Sequence, residues 1–439
     1  MDPGVGDARP SLHRSVVLSV AAIVAGVVIG LVGGAFRWCL QVAESLRVDV
    51  VEWAQGLPGP GWLVPMGVVA ACATVAALLV RWEPLAVGSG IPHVEAVFLG
   101  KAAPPPLRLV PARFLGGVLA IGGGMVLGRE GPTVHIGAAV GAEAARRARL
   151  PSPEAGLMQA ALGGAGLAVA FNAPLAGVLF TLEEVTKSWR LQAVLVSAFA
   201  AAAAVGTSRL LLGDHPDFGV PPVPAPELIW LPMFLVFGVL TGFLGAGYNL
   251  AVLWALDHVA PIRRIPTLVQ AGANGATVGL LLCVAPLTVG DGDTLTQMLL
   301  GGHQFVLLAT AGLLAARFLT GPLCYSAAVP GGLFAPLLAI GALWGTLFVG
   351  CVGAVWPDDP TFLAIPMALA GMAAFFGATV RAPLTGLLIV IEMTATTSVA
   401  VPMLIATAAA VASANALGSA PIYDSLRERM PVSSGPDRS

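Results

Sequence analysis

The sequence predicts an all-α integral membrane protein, and two observations carry that expectation. The first is composition: of 439 residues, 57% are hydrophobic and only 10% charged, with a mean hydropathy of +0.86. A soluble chain wets its surface with about 25% charged residues, so this one has too few. Its formal net charge of −2 offers no basic field for nucleic acid. The second observation is that the apolar stretches are continuous: Ser15 to Phe36, Gly61 to Val80, Ala193 to Leu212, Leu228 to Leu256 and Phe362 to Thr379. Strands of a membrane barrel would alternate apolar and polar residues. About 20 apolar residues in a helix cross a hydrocarbon core of ~30 Å.

The elements follow in order. The run from Ser15 is too long, and its Gly-rich end too poor a cleavage site, for a removable signal peptide, so it is read as a retained span. The tails are short, 1–13 in front and roughly Asp424 to Ser439 behind, of which 427–439 lies beyond the second copy. Arg9 and Arg14 flank the first span, and Arg427 and Arg429 follow the last. The positive-inside tendency places both ends in the cytoplasm, with an even number of crossings. Cys39, Cys72, Cys283, Cys324 and Cys351 form no CxxC pair and read as small core residues rather than metal or redox groups. The Pro-rich connector Gly213 to Glu227 lacks Lys and Arg, which suits an external loop.

That connector separates two copies of one unit, 14–212 and 228–426, within a single membrane domain. Asn172-Ala-Pro-Leu-Ala-Gly-Val-Leu-Phe-Thr-Leu-Glu183 matches Arg381-Ala-Pro-Leu-Thr-Gly-Leu-Leu-Ile-Val-Ile-Glu392, displaced by 209 positions. Gly128 to Pro132 matches Gly332 to Pro336, and Ile136-Gly-Ala matches Ile340-Gly-Ala, both displaced by 204. Two matches in one order at nearly one displacement point to duplication. The parity of crossings per half decides whether the copies are inverted, and hydropathy leaves that open.

Three segments interrupt apolar sequence with Gly and Pro: Val87 to Pro92, Gly128 to Pro132 and Pro330 to Pro336. In lipid, non-helical backbone survives only when buried in protein or lining a wet cavity. Pro suits the first helical turn, so each segment reads as a loop feeding a new helix start. Such starts present free N–H groups and about half a positive charge. Several meeting in mid-membrane would hold an anion, and broken helices at matching repeat positions point to a transporter site. Gly and Pro also mark tight packing in membrane helices; three segments, two at matching positions, favour the interrupted reading.

Glu130 lies inside one of these segments. Burial opposes its ionisation and nearby amide dipoles favour it. Ionised, it mimics an anion and could take the anion's place; protonated, it has no reason to stay. It is therefore a candidate gate and proton carrier, with an Arg129–Glu130 ion pair as the structural alternative. Glu183 has a counterpart in Glu392 and reads as structural. Glu184 faces Met393 in the second copy, and the unmatched carboxyl is the better functional candidate, the alternative being a solvated helix end.

Taken together, GSGIP (88–92), GREGPTVHIG (128–137), NAPLAGVLFTLEE (172–184), PGGLFAP (330–336), RAPLTG (381–386) and PIYDSL (421–426) resemble the CLC family of chloride channels and proton-coupled chloride exchangers. The resemblance runs from about Val87 to Tyr423 in the family's order. It implies a CLC-like inverted repeat of tilted and discontinuous helices, and a homodimer with a separate anion pathway in each subunit. It implies that Ser89 and Tyr423 coordinate a central anion, with Gly90 and Ile91 beside Ser89 and the amides at Leu333 and Phe334 completing the site. Glu130 becomes the external gating glutamate and Glu184 the internal proton-transfer glutamate. Alone, Tyr423 would read as an interfacial belt aromatic, and His135 as helix packing or a pore-lining neighbour.

Ser89 fits chloride and bromide selectivity, since nitrate-selective relatives carry Pro there. Glu184 favours an exchanger, because channel members usually carry an apolar residue. The absence of paired cystathionine-synthase-type domains after Tyr423 resembles short prokaryotic members of the cell membrane. The leading expectation is chloride/proton antiport with no cofactor, chloride and protons being the substrates; a passive chloride channel and another anion-selective secondary transporter are alternatives. An intramembrane hydrolase using Ser89 with His93 or His135 as base has no GxSG or HExxH sequence behind it.

Overall fold

The computed structural model describes residues 12–260, 266–355 and 360–430. The expected front tail (as far as residue 11) and the chain beyond 430 lie outside them. The described residues form helices in two successive series. The first comprises α1 (Leu12–Gln55), α2 (Leu63–Trp82), α3 (Ile91–Phe98), α4 (Leu109–Gly122), α5 (Glu130–Arg147), α6 (Ser152–Phe171), α7 (Pro174–Phe180) and α8 (Leu191–Leu212). The second comprises α9 (Leu231–His258), α10 (Thr267–Val284), α11 (Asp293–Leu300), α12 (Leu307–Tyr325), α13 (Phe334–Gly353), α14 (Ala364–Val380), α15 (Pro383–Thr394) and α16 (Ala400–Ala416), after which α17 (Ile422–Glu428) stands alone. Nine helices among the described residues are long and apolar enough to cross a membrane. Others are short and begin or end inside the protein, as the interrupted segments predict.

The series match helix for helix. Thus α3 and α11 each have 8 residues, and α6 and α14 both stop on a left-handed residue, Asn172 and Arg381, one position short of the Ala-Pro that opens the next helix. Pro at the first turn of α7 and α15 sacrifices no intrahelical bond. The same packing recurs, α1 on α8 and α9 on α16, α5 on α6 and α13 on α14, while α2 meets α10 across the copies.

Equivalent elements run in opposite directions. The Glu392 carboxylate, near the end of α15, accepts hydrogen bonds from the Leu175 and Ala176 amides at the start of α7, 3.0 and 2.8 Å. The Glu183 carboxylate, just past α7, accepts from Leu384 and Thr385 at the start of α15, 3.2 and 2.8 Å. Each helix thus caps the other head to tail. Equivalent glycines also pair: Gly128 and Gly332 exchange N–H···O bonds, both 2.8 Å, in an antiparallel bridge. A two-fold relation between equivalent residues of antiparallel helices is the inverted arrangement, so the structure resolves the parity that hydropathy left open.

The structure extends the repeat beyond the two sequence matches. Pro84-Leu-Ala-Val-Gly-Ser-Gly90 and Pro286-Leu-Thr-Val-Gly-Asp-Gly292 occupy matching places before α3 and α11. Ala112-Arg-Phe-Leu115 and Ala316-Arg-Phe-Leu319 occupy matching places in α4 and α12.

Three expectations need correction. The first span does not stop near Phe36: α1 continues to Gln55. Residues 424–428 are no tail, because α17 docks on α3 and Arg427 pairs there with Glu95. Of the five cysteines only Cys324 is buried, and Cys351 is exposed, its surroundings on α13 being apolar without being interior. The connector after α8 also does more than link: Asp217 pairs with Arg37 and Arg129, and the Phe218 amide donates to Met393 O, 2.9 Å.

Candidate functional site

The three interrupted segments solve one another's backbone problem. Gly88 N–H donates to Val329 O and Gly331 N–H to Gly88 O, both 3.1 Å, while Gly332 bridges to Gly128. The 330–332 segment is therefore laced between the other two, which is how non-helical backbone persists at this depth. Their helices, α3, α5 and α13, start around the same place.

A buried arginine holds the loop before α3. Arg113 of α4 donates to the carbonyls of Gly88, Leu85 (3.0 Å) and Val87 (3.1 Å). Arg317 does the same in the second copy, donating to Leu287 (2.9 Å), Gly290 (3.3 Å) and Val289 (2.7 Å). The planar guanidinium fork suits three converging carbonyls. Gly90 and Gly292, the caps of α3 and α11, have φ of +83° and +105°, a backbone that side chains resist.

Glu130 opens α5 and is fully buried. Its Oε1 accepts from the Phe334 amide at the start of α13, 2.7 Å. The carboxylate lies where side chains on Gly128 or Gly332 would have to be: a Cβ on either would collide with it. The bridged glycines thus form its cradle. The Arg129 pair weighed from the sequence does not form. Arg129 points away, to Asp217 and Asp293 at 3.0 Å each and to Ala170 O at 2.8 Å.

The remaining expected residues gather nearby. Ser89, Gly90 and Ile91 are buried between Arg113 and Gly131, whose missing Cβ lets it rest on the Ser89 backbone. Leu333 and Phe334 are buried at the α13 start. The Phe334 ring packs against Phe171, Phe180, Phe376 and Tyr423. Tyr423, fully buried, belongs to no interfacial belt. The Ser89 hydroxyl, the Tyr423 hydroxyl and Glu130 Oε2 are all buried without a hydrogen-bond partner among the described residues. Leaving such a group unmet costs about 1–3 kcal/mol, so three around one helix start mark a place built for a polar occupant. The α5 and α13 N-termini make that place attractive to an anion. Neither histidine reaches the Ser89 hydroxyl, so the hydrolase arrangement is absent from the described residues.

Sequence reasoning missed Tyr325, at the end of α12, whose hydroxyl accepts from the Ser89 amide, 3.3 Å. Its rarity was a usable signal: of three tyrosines in the chain, all are buried.

Glu184 sits in a π-helical turn, Thr181–Val185, where Thr186 N–H reaches back to Thr181 O, 2.9 Å. The equivalent end of α15 is regular. The widened turn lets Glu183 cap α15 while Glu184 turns inward; such turns often accompany functional groups. Glu184 is buried with Oε1 unpaired, so it is no solvated helix end. Beside it stands Glu95 of α3, also buried, whose Oε2 pairs with Arg427 at 2.5 Å. Arg427 and Lys187 both meet Asp424, 2.6 and 3.2 Å. Tyr423 lies within electrostatic reach of both Glu130 and Glu184. No cluster of metal-ligating side chains occurs among the described residues.

Comparison with known proteins gives one pattern. A family model described as voltage gated chloride channel matches residues 71–415. The chain is 37% identical over 419 residues to the H(+)/Cl(-) exchange transporter ClcA of Vibrio cholerae, covering 93% of this chain and 88% of that protein. It is 37% identical over 420 residues to the exchange transporter of the same name from Vibrio vulnificus, covering 94% and 89%. Among solved structures it is similar to a slow cyanobacterial Cl-/H+ antiporter, with a TM-score of 0.87, 30% identity and coverage of 94% and 97%. A CLC-type fluoride/proton antiporter, at 21% identity and a TM-score of 0.79 over 94% and 98%, shares the fold.

Proposed function

Because the chain belongs to the voltage-gated chloride channel (CLC) family, we propose that it exchanges chloride for protons across the cell membrane. The observation that carries this reading is the Glu130 carboxylate on the Phe334 amide, among three buried oxygens whose hydrogen bonds are unmet.

The mechanism follows from charge. Ionised Glu130 satisfies the α13 N-terminus as an anion would. Chloride reaching that amide must displace it, and the displaced carboxylate takes up a proton. Protonated, it no longer competes, and the anion remains until the proton leaves. Ser89 and Tyr423 donate their hydroxyls to chloride on the inner side of Phe334. Gly90, Ile91 and Leu333 contribute backbone close to it, and the phenylalanines exclude water. Glu184 passes protons between the interior solution and the Tyr423 region, its Oε1 being buried without a partner while Arg427 neutralises the buried Glu95.

In this reading each subunit of a homodimer carries its own pathway. Ser89 favours chloride and bromide over nitrate, and no cofactor takes part. The names borne by the Vibrio relatives and the cyanobacterial antiporter support exchange. A passive channel is the second reading, and the unpaired Glu184 counts against it.

Purified protein in liposomes tests the choice. An outward chloride gradient should drive proton uptake, and the reversal potential should move with a pH gradient. A reversal potential set by chloride alone would establish the channel instead.

A further inference from the structure

The loop that carries Ser89 is held from behind by more than Arg113. Arg113 Nη2 lies 2.8 Å from His135 Nδ1, and His135 Nε2 lies 2.9 Å from His93 Nδ1. An arginine only donates, so His135 must accept at Nδ1 and, as a neutral ring, carry its proton on Nε2. That proton can point only at His93 Nδ1. With Nδ1 accepting, a neutral His93 carries its own proton on Nε2. One fixed donor thus sets both tautomers, and the relay runs in a single direction from Arg113 to His93.

The relay touches the anion loop directly. A Cβ on Gly90 would collide with His135 Nδ1 and Arg113 Nη2 together. Both rings are buried, and Arg113 is the group that grips the Gly88, Val87 and Leu85 carbonyls.

The second copy shows what the fold alone requires. There Ala339 stands where His135 stands, and it fills the equivalent place against Gly292. Leu295 replaces His93. Arg317 nevertheless holds its three carbonyls. An arginine clamp therefore forms on a Gly-x-Gly loop without histidines, so the histidines serve something beyond folding that loop.

We propose that His135, backed by His93, is a positioning residue for the anion site: it fixes the Arg113 fork, and through it the Ser89–Gly90 backbone, in the conformation that binds chloride. The inference rests on the chloride reading above and adds to it a determinant of affinity outside the site itself.

The test measures chloride binding to the purified full-length protein by calorimetry, and exchange in liposomes, for wild type, His135→Ala, His135→Gln and His93→Ala. Alanine reproduces the second copy, so His135→Ala should fold. Its dissociation constant for chloride should rise about five- to tenfold, as should the chloride concentration at half-maximal rate. Maximal rate and the proton-to-chloride ratio should stay within about twofold. His135→Gln should bind within about twofold of wild type, because its amide oxygen accepts from Arg113 and its N–H donates to His93. His93→Ala should weaken binding in the same direction by about two- to threefold. Unchanged binding in His135→Ala, or His135→Gln as impaired as His135→Ala, would overturn the proposal. If His135→Ala is not recovered folded, unchanged binding in His93→Ala overturns it. Wild-type protein that binds no chloride overturns the transport reading itself and the relay's role with it.

Discussion

The two copies of the repeat solve one backbone problem identically and then part company. In both, a Pro-Leu-x-Val-Gly-x-Gly segment feeds an eight-residue helix, and one buried arginine gathers three carbonyls of the loop. In the first copy that loop carries Ser89, whose hydroxyl is left unmet. In the second it carries Asp291, followed by Asp293 paired with Arg129. The same division appears at the paired helix ends: Glu183 and Glu392 make equivalent caps, but only the first copy adds Glu184 and the π turn that swings it inward. Shared contacts build the scaffold, and unshared ones collect where buried polar groups lack partners. Symmetry thus separates stability from function inside one chain.

The largest break in this comparison should come from Glu184→Met, which gives the first copy the residue type found at position 393. Chloride flux should persist while proton uptake driven by a chloride gradient falls by about tenfold or more, as expected for removal of a proton carrier; undiminished proton uptake would count against the inner assignment. The arginine clamps sharpen the contrast at the next level. Arg113→Lys and Arg317→Lys each replace a three-carbonyl fork with a point charge, and both should lower the thermal midpoint in detergent. Only Arg113→Lys should weaken chloride binding as well, by several-fold; equal weakening in both would dissolve the distinction between the copies. The smallest effect belongs to the reciprocal caps. Glu183→Gln and Glu392→Gln should each cost about 1 kcal/mol, the usual scale for a lost helix cap, visible as similar drops in the thermal midpoint with the proton-to-chloride ratio unchanged.

Much of the fold was legible because duplication leaves a record in residue order. The matches at Asn172–Glu183 and Gly128–Pro132 were enough to announce two copies. The Pro286–Gly292 match is harder to see because Asp291 and Asp293 give that stretch the charge of a solvent-facing loop. Its function in the fold, a clamped left-handed glycine, depends on Arg317 reaching it from another helix. Direction was illegible for a related reason: the reciprocal caps join residues more than 200 positions apart, and no local pattern reports such a contact. In the site, Ser89, Glu130 and the Phe334 segment stood out through Gly and Pro, which mark broken backbone. Glu95 and Tyr325 each lie three residues past a helix proline, Pro92 and Pro322, but nothing in that spacing says that either side chain turns inward. Glu95 meets Arg427 across 332 positions, and only folding reveals that its carboxylate is buried beside Glu184. Tyr423 shows the converse, since without the family resemblance a tyrosine after an apolar run suggests a membrane belt, whereas α17 presses it against Phe334.

On this mechanism halide and the Glu130 carboxylate compete for the amide of Phe334. The most direct measurement is anomalous diffraction from crystals soaked in bromide, for wild type and for Glu130→Gln. Bromide is expected between Ser89 and Tyr423 in both, and a further bromide at the Phe334 amide in Glu130→Gln alone. Bromide at that amide in wild type with Glu130 still bonded to it, or no bromide near Ser89 and Tyr423 in either protein, would contradict it.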